Sequence, residues 1–342
     1  MYIKYSFLRL IIHDLETLFR DFLWAQGDVS RGKCRIAWDA VCKPIDNGGL
    51  GFKRLAIWNR ALVTKHIWDV LSRRNTLWVN WIWLHRIQDG SFWSMSTRPS
   101  WSWTFRKMLT LRPQVRRFFL HNLGDGSTIN AWEDKWLTVG PLSSIISYRR
   151  FHSIGFDLHT TVSDVISHCH GVWPNDWIQM NPIAFAEPMP MGNENVVDSL
   201  KWLNVHQIPI DYSVKDAWQT MDGLHLSVSW PKYVWFKGCV PKHAFCMWCA
   251  CHKRLPTQDR IGLWKHDPPD MSCVFCAGCP DSHEHLFFTC PFSREVWRGV
   301  KREFGLYGFP ESWDMIMLEL HANRDPRKII QKLALSATIY YI

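Results

Sequence analysis

Four cysteines and two histidines crowd the stretch CVFCAGCPDSHEHLFFTCPFSREVW, residues 273–297. Cys273 and Cys276 are spaced C-x2-C, the turn that lets two thiolates reach one tetrahedral zinc, and His285 and Cys290 follow as H-x4-C. The pattern predicts a closed Cys-Cys-His-Cys site. With all four positions taken by side chains, no bound water is left to activate, so the expected Zn2+ is structural and serves to fold and display the segment. Cys279, beside Pro280, and His283, two residues before His285, compete as ligands. A second arrangement would pair Cys246 and Cys249 with Cys273 and Cys276. Against it, HAFCMWCACHKRL reads as one helix with Phe245, Trp248 and Cys249 facing inward, where an unligated cysteine acts as a small hydrophobe.

The segment after the cluster bears on partners. A helix over 292–304 puts Arg294, Arg298, Lys301 and Arg302 on one arc and Trp297, Val300 and Phe304 opposite. A basic stripe beside a zinc knuckle suits a phosphate backbone, although Glu295 and Glu303 equally fit an ordinary solvated face. Phe287 is expected to pack beneath the zinc and Phe288 to stack on bases. Hydrolysis at the metal would need an open position and a general base, and Glu284 is the only carboxylate close to the ligands. His283 and His285 lie two apart, unlike the four-residue helical spacing of a zinc protease. A redox role for Cys273 and Cys276 lacks its βαβ setting.

Composition bounds these readings. The chain has 342 residues, 47% of them apolar, enough for two or three compact units. Its 22 tryptophans predict a well-filled interior with some exposed aromatic surface. The net charge of +9 favours an acidic partner such as RNA or DNA. No secretory signal or membrane-length apolar run is visible, and eleven cysteines fit a reducing compartment, so an intracellular location, nucleus or cytoplasm, is expected.

The elements that must position the cluster follow from periodicity. Leu8, Ile11, Leu15, Leu18 and Phe22 recur at helical spacing and predict an amphipathic helix packed on a neighbour. After the turn PIDNGGLGF (44–52), Leu55, Trp58, Leu62, Ile67 and Leu71 predict a second helix. No Gly-Lys-Ser/Thr follows those glycines, which argues against a phosphate loop. Gly124-Asp125-Gly126, between Phe119-Leu120 and Ile129-Ala131-Trp132, reads as a β-hairpin. Short strands from 198 lead into a helix starting near Ser213. The expected class is mainly α with small β hairpins, in five segments: a helical region 1–85, a Trp-rich connector 86–180, a Pro- and Asn-rich linker 181–198, a zinc-binding domain 199–305 and a helical tail 306–342.

Residues 212–297, from YSVKDAW through LPT (255–257) to HLFFTC and the trailing Val-Trp, resemble the reverse-transcriptase zinc-binding domain of plant LINE-type (non-LTR) retrotransposon polyproteins. Upstream, IAWDAVCKPIDNGGLGFKRLAIWNRALVTKHIW and GDGSTINAWEDKW are similar to the segments that follow the polymerase in those polyproteins. The resemblance implies zinc ligation by Cys273, Cys276, His285 and Cys290. It does not imply polymerase activity here, because a polymerase needs paired aspartates for its two metal ions and no two aspartates are adjacent in this chain. The function expected is therefore a non-catalytic, zinc-binding, nucleic-acid-binding part of such a polyprotein. The rival is a structural or protein-contact module, or a relic, in which zinc only stabilises the fold.

Overall fold

Stretches with a 3.6-residue apolar period become helices along most of the chain. The computed structural model describes residues 2–24, 36–88, 90–262, 271–322 and 328–342. The longer helices used below are, in chain order, α1 (Tyr2–Trp24), α2 (Leu55–Leu71), α3 (Leu77–Ile82), α4 (Trp103–Val115), α5 (Val214–Asp222), α6 (Pro241–Cys251), α7 (Pro291–Glu303), α8 (Trp313–Ala322) and α9 (Lys328–Tyr341). One three-stranded antiparallel sheet, β1 (Phe119–Asn122), β2 (Ser199–Leu203) and β3 (Pro209–Ile210), completes a mainly α fold.

The chain divides into two compact units, Met1–Arg54 with His225–Ile342, and Leu55–Leu224. In the first, α6 packs on α9, and Trp248, Met247, Cys249 and Leu335 are buried in one core with Trp297 and Trp313. The glycine-rich turn 44–52 belongs to this core. Gly48 stands in the left-handed region, and its carbonyl accepts the Trp248 indole N–H at 2.9 Å and lies 2.9 Å from His252 Nε2. A side chain at Gly49 would strike the Lys43 carbonyl at 1.9 Å. The amides of Gly48, Gly49, Leu50 and Gly51 all bond within the turn, to Ile45, Pro44, Val41 and Lys43. They are therefore not turned outward as a phosphate cradle would require.

The expectation for α1 needs correction. The helix forms, but Ile11, Leu15, Leu18 and Phe22 are exposed, and the side chain of Leu8 lies outside the described residues. Trp24 at its end packs, stacked on Trp248 with ring centroids 6.4 Å apart, and Leu23 is packed against the same core. Periodicity specified a helix; it carried no information about which face finds a partner.

In the second unit, α2 packs on α4 and α5, with Ile67 and Met108 fully buried beside Trp202. A second cluster there gathers Trp132, Phe151, Trp173 and Trp177. Ser213 caps α5, its hydroxyl accepting from the Asp216 amide at 3.0 Å, where the helix start was expected. The expected boundaries near 85, 180 and 198 all fall within this unit. Within 181–198, Phe185 and Met189 are buried.

The hairpin expected around Gly124-Asp125-Gly126 is replaced by a longer-range pairing. Phe119–Asn122 pairs with Ser199–Leu203, with Phe119 opposite Trp202. Asp198, just before β2, accounts for the change. Its carboxylate accepts from the amides of Gly124 (2.8 Å), Gly126 (2.9 Å) and Thr128 (3.0 Å) and from the Thr128 hydroxyl (2.8 Å). The turn thus wraps an anion rather than closing two strands. A side chain at Gly124 would meet the Val196 carbonyl at 2.3 Å, so glycine is required there by close approach.

Burial opposes ionisation of Asp198, but the Thr128, Gly124 and Gly126 amides outweigh it and hold the carboxyl below its usual range. Asp198→Ala should cost about 1–3 kcal/mol, because it strands several donors at once. Since the folded pKa lies below the unfolded one, the contribution is present above about pH 4 and lost as the pH falls below that. Urea unfolding of both proteins at pH 7 and pH 3 checks this: the gap between them should narrow at pH 3.

Candidate metal centre

Two turns build the cluster. In the first, Ala277 donates to the Cys273 carbonyl (2.8 Å), and the Cys273 amide donates to the Cys279 carbonyl (2.8 Å) across an isolated Ser272–Pro280 bridge. Ala277 sits left-handed with φ 51°, which lets the chain reverse between Cys276 and Gly278. The amides of Phe275 and Cys276 point at the Cys273 sulfur, and that of Gly278 at the Cys276 sulfur. Amides aimed at sulfur stabilise thiolate.

The second turn is His285–Thr289, a wide turn closed by the Cys290 amide on the His285 carbonyl at 2.7 Å. Residues five apart on an α-helix point about 140° away from one another. The i→i+5 closure instead brings the two ends onto a common side. His285 and Cys290 therefore face the same point, and Pro291 starts α7 immediately afterwards.

The ligand atoms of Cys273, Cys276, His285 and Cys290 all lie within 4.8 Å of one another. Cys276 Sγ is 3.2 Å from His285 Nε2, and Cys273 Sγ is 3.9 Å from Cys290 Sγ. A tetrahedral zinc with its ordinary bond lengths would set such edges at about 3.5–3.8 Å, so the donor set fits the ion with small adjustments. Three of the four residues are buried. The Gly278 amide, then the neighbouring His285, bring the Cys276 thiol down to about 7, whereas burial pushes the Cys273 thiol up.

The competing ligands go elsewhere. Cys279 is exposed and contributes its carbonyl, not its sulfur, to the knuckle. His283 packs its ring on Phe287 (5.5 Å) and edge-on to Trp313 (5.4 Å), where burial lowers its pKa to about 4. Cys249 is buried on α6 within the first unit's core, and Cys246 is packed against that core. Among the described residues neither joins the cluster. Phe287 is buried in the same core, and the side chain of Phe288 lies outside the described residues. Glu284 is exposed.

The basic stripe on α7 divides. Lys301 needs correction: its side chain is buried, and its ammonium donates to the Phe309 carbonyl (3.1 Å) and to Glu311 (2.9 Å). Arg298 pairs with both oxygens of Glu311 at 3.2 Å, and hydrogen bonds from Arg298 and then Lys301 lower the Glu311 pKa to about 2. Arg302 is exposed beside Glu295 at 3.9 Å, and Arg294 reaches the Thr289 carbonyl at 3.5 Å. The wheel could not foresee that the loop after α7 returns Glu311 to this face. Phe304, expected on the apolar side, is exposed. Sequence reasoning also missed an exposed stack of Phe275 on Phe292, with ring centroids 4.6 Å apart and planes 17° apart, which joins the knuckle to the start of α7. The only signal for it was an aromatic in the first turn and another at the start of α7.

Residues 212–297 match the family described as zinc-binding in reverse transcriptase. The chain is 26% identical over 327 residues, 87% of its length, to a putative ribonuclease H protein of Arabidopsis thaliana, of which it covers 49%. It is 30% identical over 132 residues, 38% of its length, to an uncharacterized mitochondrial protein of the same plant, of which it covers 84%. The chain thus spans about half the length of the first of these relatives. No solved structure matches.

Elemental analysis of the purified full chain should find one zinc per chain. Cys276→Ser should lose it, while Cys279→Ser and His283→Ala should keep it. Retention of zinc by Cys276→Ser would remove that residue from the ligand set.

Proposed function

We propose a nucleic-acid-binding role for this chain, which belongs to the plant LINE-type retrotransposon polyproteins and carries their reverse-transcriptase zinc-binding domain. The observation that carries this reading is the closed set of three sulfurs and one imidazole nitrogen within 4.8 Å. Cys273, Cys276, His285 and Cys290 would hold the ion, which supplies a cross-link between the knuckle and the wide turn and leaves no coordination position for a reacting water. On this reading the metal fixes the direction in which α7 leaves Cys290, and the chain performs no reaction of its own.

Charge supports an anionic partner. The first unit, 1–54 with 225–342, contains 24 lysines and arginines against 17 acidic residues. On α7, Lys301 and Arg298 are tied to Glu311, whereas Arg302 is exposed beside Glu295 and Arg294 donates to the Thr289 carbonyl. The Phe275–Phe292 stack offers an exposed ring face beside them, suited to a base.

Binding of the full chain to a generic RNA should weaken steeply with salt, as counterion release requires. Arg294→Glu with Arg302→Glu should reduce affinity and flatten the salt dependence, while Arg298→Glu should instead lower stability through the loss of its Glu311 pair. Fluorescence anisotropy across a salt series, with thermal unfolding alongside, reads both. Weak binding that ignores salt would favour the protein-contact module.

A further inference from the structure

A second surface, in the unit Leu55–Leu224, is left unassigned by the zinc reading. α3 and the turn that continues it, Trp83–Ile87, present Leu77, Trp78, Trp81 and Leu84 along one side, 91, 40, 46 and 69% exposed. The other side of the same segment is well packed, with Val79, Ile82 and Ile87 buried. The exposed row is therefore held by a firm base. Its helix start is capped by Thr76, whose hydroxyl accepts from the Val79 amide at 3.3 Å.

A cation already lies over one of these rings. The turn at 83–87 is again a wide one, closed by the Gln88 amide on the Trp83 carbonyl at 2.7 Å, and such turns often mark functional sites. It carries the Arg86 guanidinium over Trp81, 4.8 Å from the ring centroid, and toward Trp101 at 5.7 Å, where Arg98 also lies at 5.7 Å. His66 meets Trp78 edge-on at 5.5 Å, and His85 lies 5.3 Å from Trp81. Arg86 thus bridges the exposed Trp81 and the buried Trp101, with Arg98 also on Trp101, and an imidazole lies against each of Trp78 and Trp81.

The charge around the row decides what it suits. Residues 55–118 contain eleven lysines and arginines against two acidic residues, whereas 119–224 of the same unit contain five against twelve. Arg112 and Arg116 are committed internally, to the Phe92 and Met95 carbonyls and to Glu133. Of the others, Lys65 and Arg74 pair with Asp69, and Arg117 lies over Phe118, while Arg86 and Arg98 lie against Trp81 and Trp101 beside the exposed row. An apolar protein partner would have to bury these cations without compensation. A polyanion with flat unsaturated rings satisfies both features, and a duplex shows its base faces only at its ends.

We propose that this face binds single-stranded nucleic acid, with bases stacked on Trp78 and Trp81 and phosphates met by Arg86 and Arg98. The surface includes no residue of 212–297 and no zinc donor. It shares with the zinc reading only the class of partner.

The test uses the full zinc-loaded chain and a labelled oligouridine, followed by fluorescence anisotropy across a salt series, with a duplex of the same length as comparison. Trp78→Ala with Trp81→Ala should weaken single-strand binding at least about tenfold, because each stacked base loses its platform. Duplex binding should change less, and zinc content and circular dichroism should not change. Arg86→Gln with Arg98→Gln should lower the slope of log affinity against log salt by roughly one. Trp78→Phe with Trp81→Phe should retain most of the affinity. Single-strand affinity within twofold of the parent in the double alanine variant would overturn the proposal. So would binding that is abolished by Cys276→Ser but indifferent to the tryptophans, since that would put the contact in the zinc domain. A change of sedimentation in the alanine variant with RNA affinity unchanged would make the face a protein contact and overturn it as well. The Arg294→Glu, Arg302→Glu variant reads the zinc domain separately, so either reading can fail while the other stands.

Discussion

Holding three cysteine sulfurs as thiolates with an imidazole nitrogen within 4.8 Å of one another is tolerable only if something answers their charge. Thiolates at that separation repel, and burial of three of the four residues removes the water that would screen them. A bound cation reverses the sign of the problem and turns mutual repulsion into a shared attraction. The amides of Phe275, Cys276 and Gly278 contribute the remaining compensation from the backbone. The rest of the segment is arranged around this constraint: a left-handed Ala277 to reverse the chain, a wide turn to aim His285 and Cys290 together, and a proline to start α7 directly after Cys290.

Much of this was legible because it is local. The C-x2-C and H-x4-C spacings, the α6 helix with Trp248 and Cys249 inward, and the helix start at Ser213 each depend on residues within a turn or two of one another. What could not be read depends on residues far apart in sequence. Lys301 looked like part of a basic stripe until Glu311 and the Phe309 carbonyl turned it inward. The Gly124-Asp125-Gly126 turn carried the residues of a hairpin, but Asp198, more than seventy positions away, occupies its amides. The stripe of α1 has the right period, yet its described members Ile11, Leu15, Leu18 and Phe22 are exposed. In the first two cases long-range pairing set the outcome.

The zinc-binding match at 212–297 and the compact unit that contains most of it do not coincide. That unit draws its first part from residues 1–54, and the joint is specific: the Gly48 carbonyl takes up the indole of Trp248 and faces His252, while Trp24 stacks on Trp248. Gly48 is left-handed, and a side chain there would press on Trp230 at 2.9 Å. The glycines that suggest a phosphate loop when read alone are thus the means by which an early segment fits against the helix preceding the metal site. Twelve of the 22 tryptophans are buried among the described residues, and Trp24 and Trp248 sit at this joint.

Because Gly48 and Trp248 are 200 positions apart, the order in which a ribosome delivers the chain matters. Residues 55–224 are synthesised as a complete unit before any of 225–342. At about 5–20 residues per second, the early segment waits roughly ten to forty seconds for its partner helix. Through that interval Trp24 and Val41, buried in the finished protein, have no α6 to cover them. The discontinuous unit therefore completes its core only after residues 241–251 have been made.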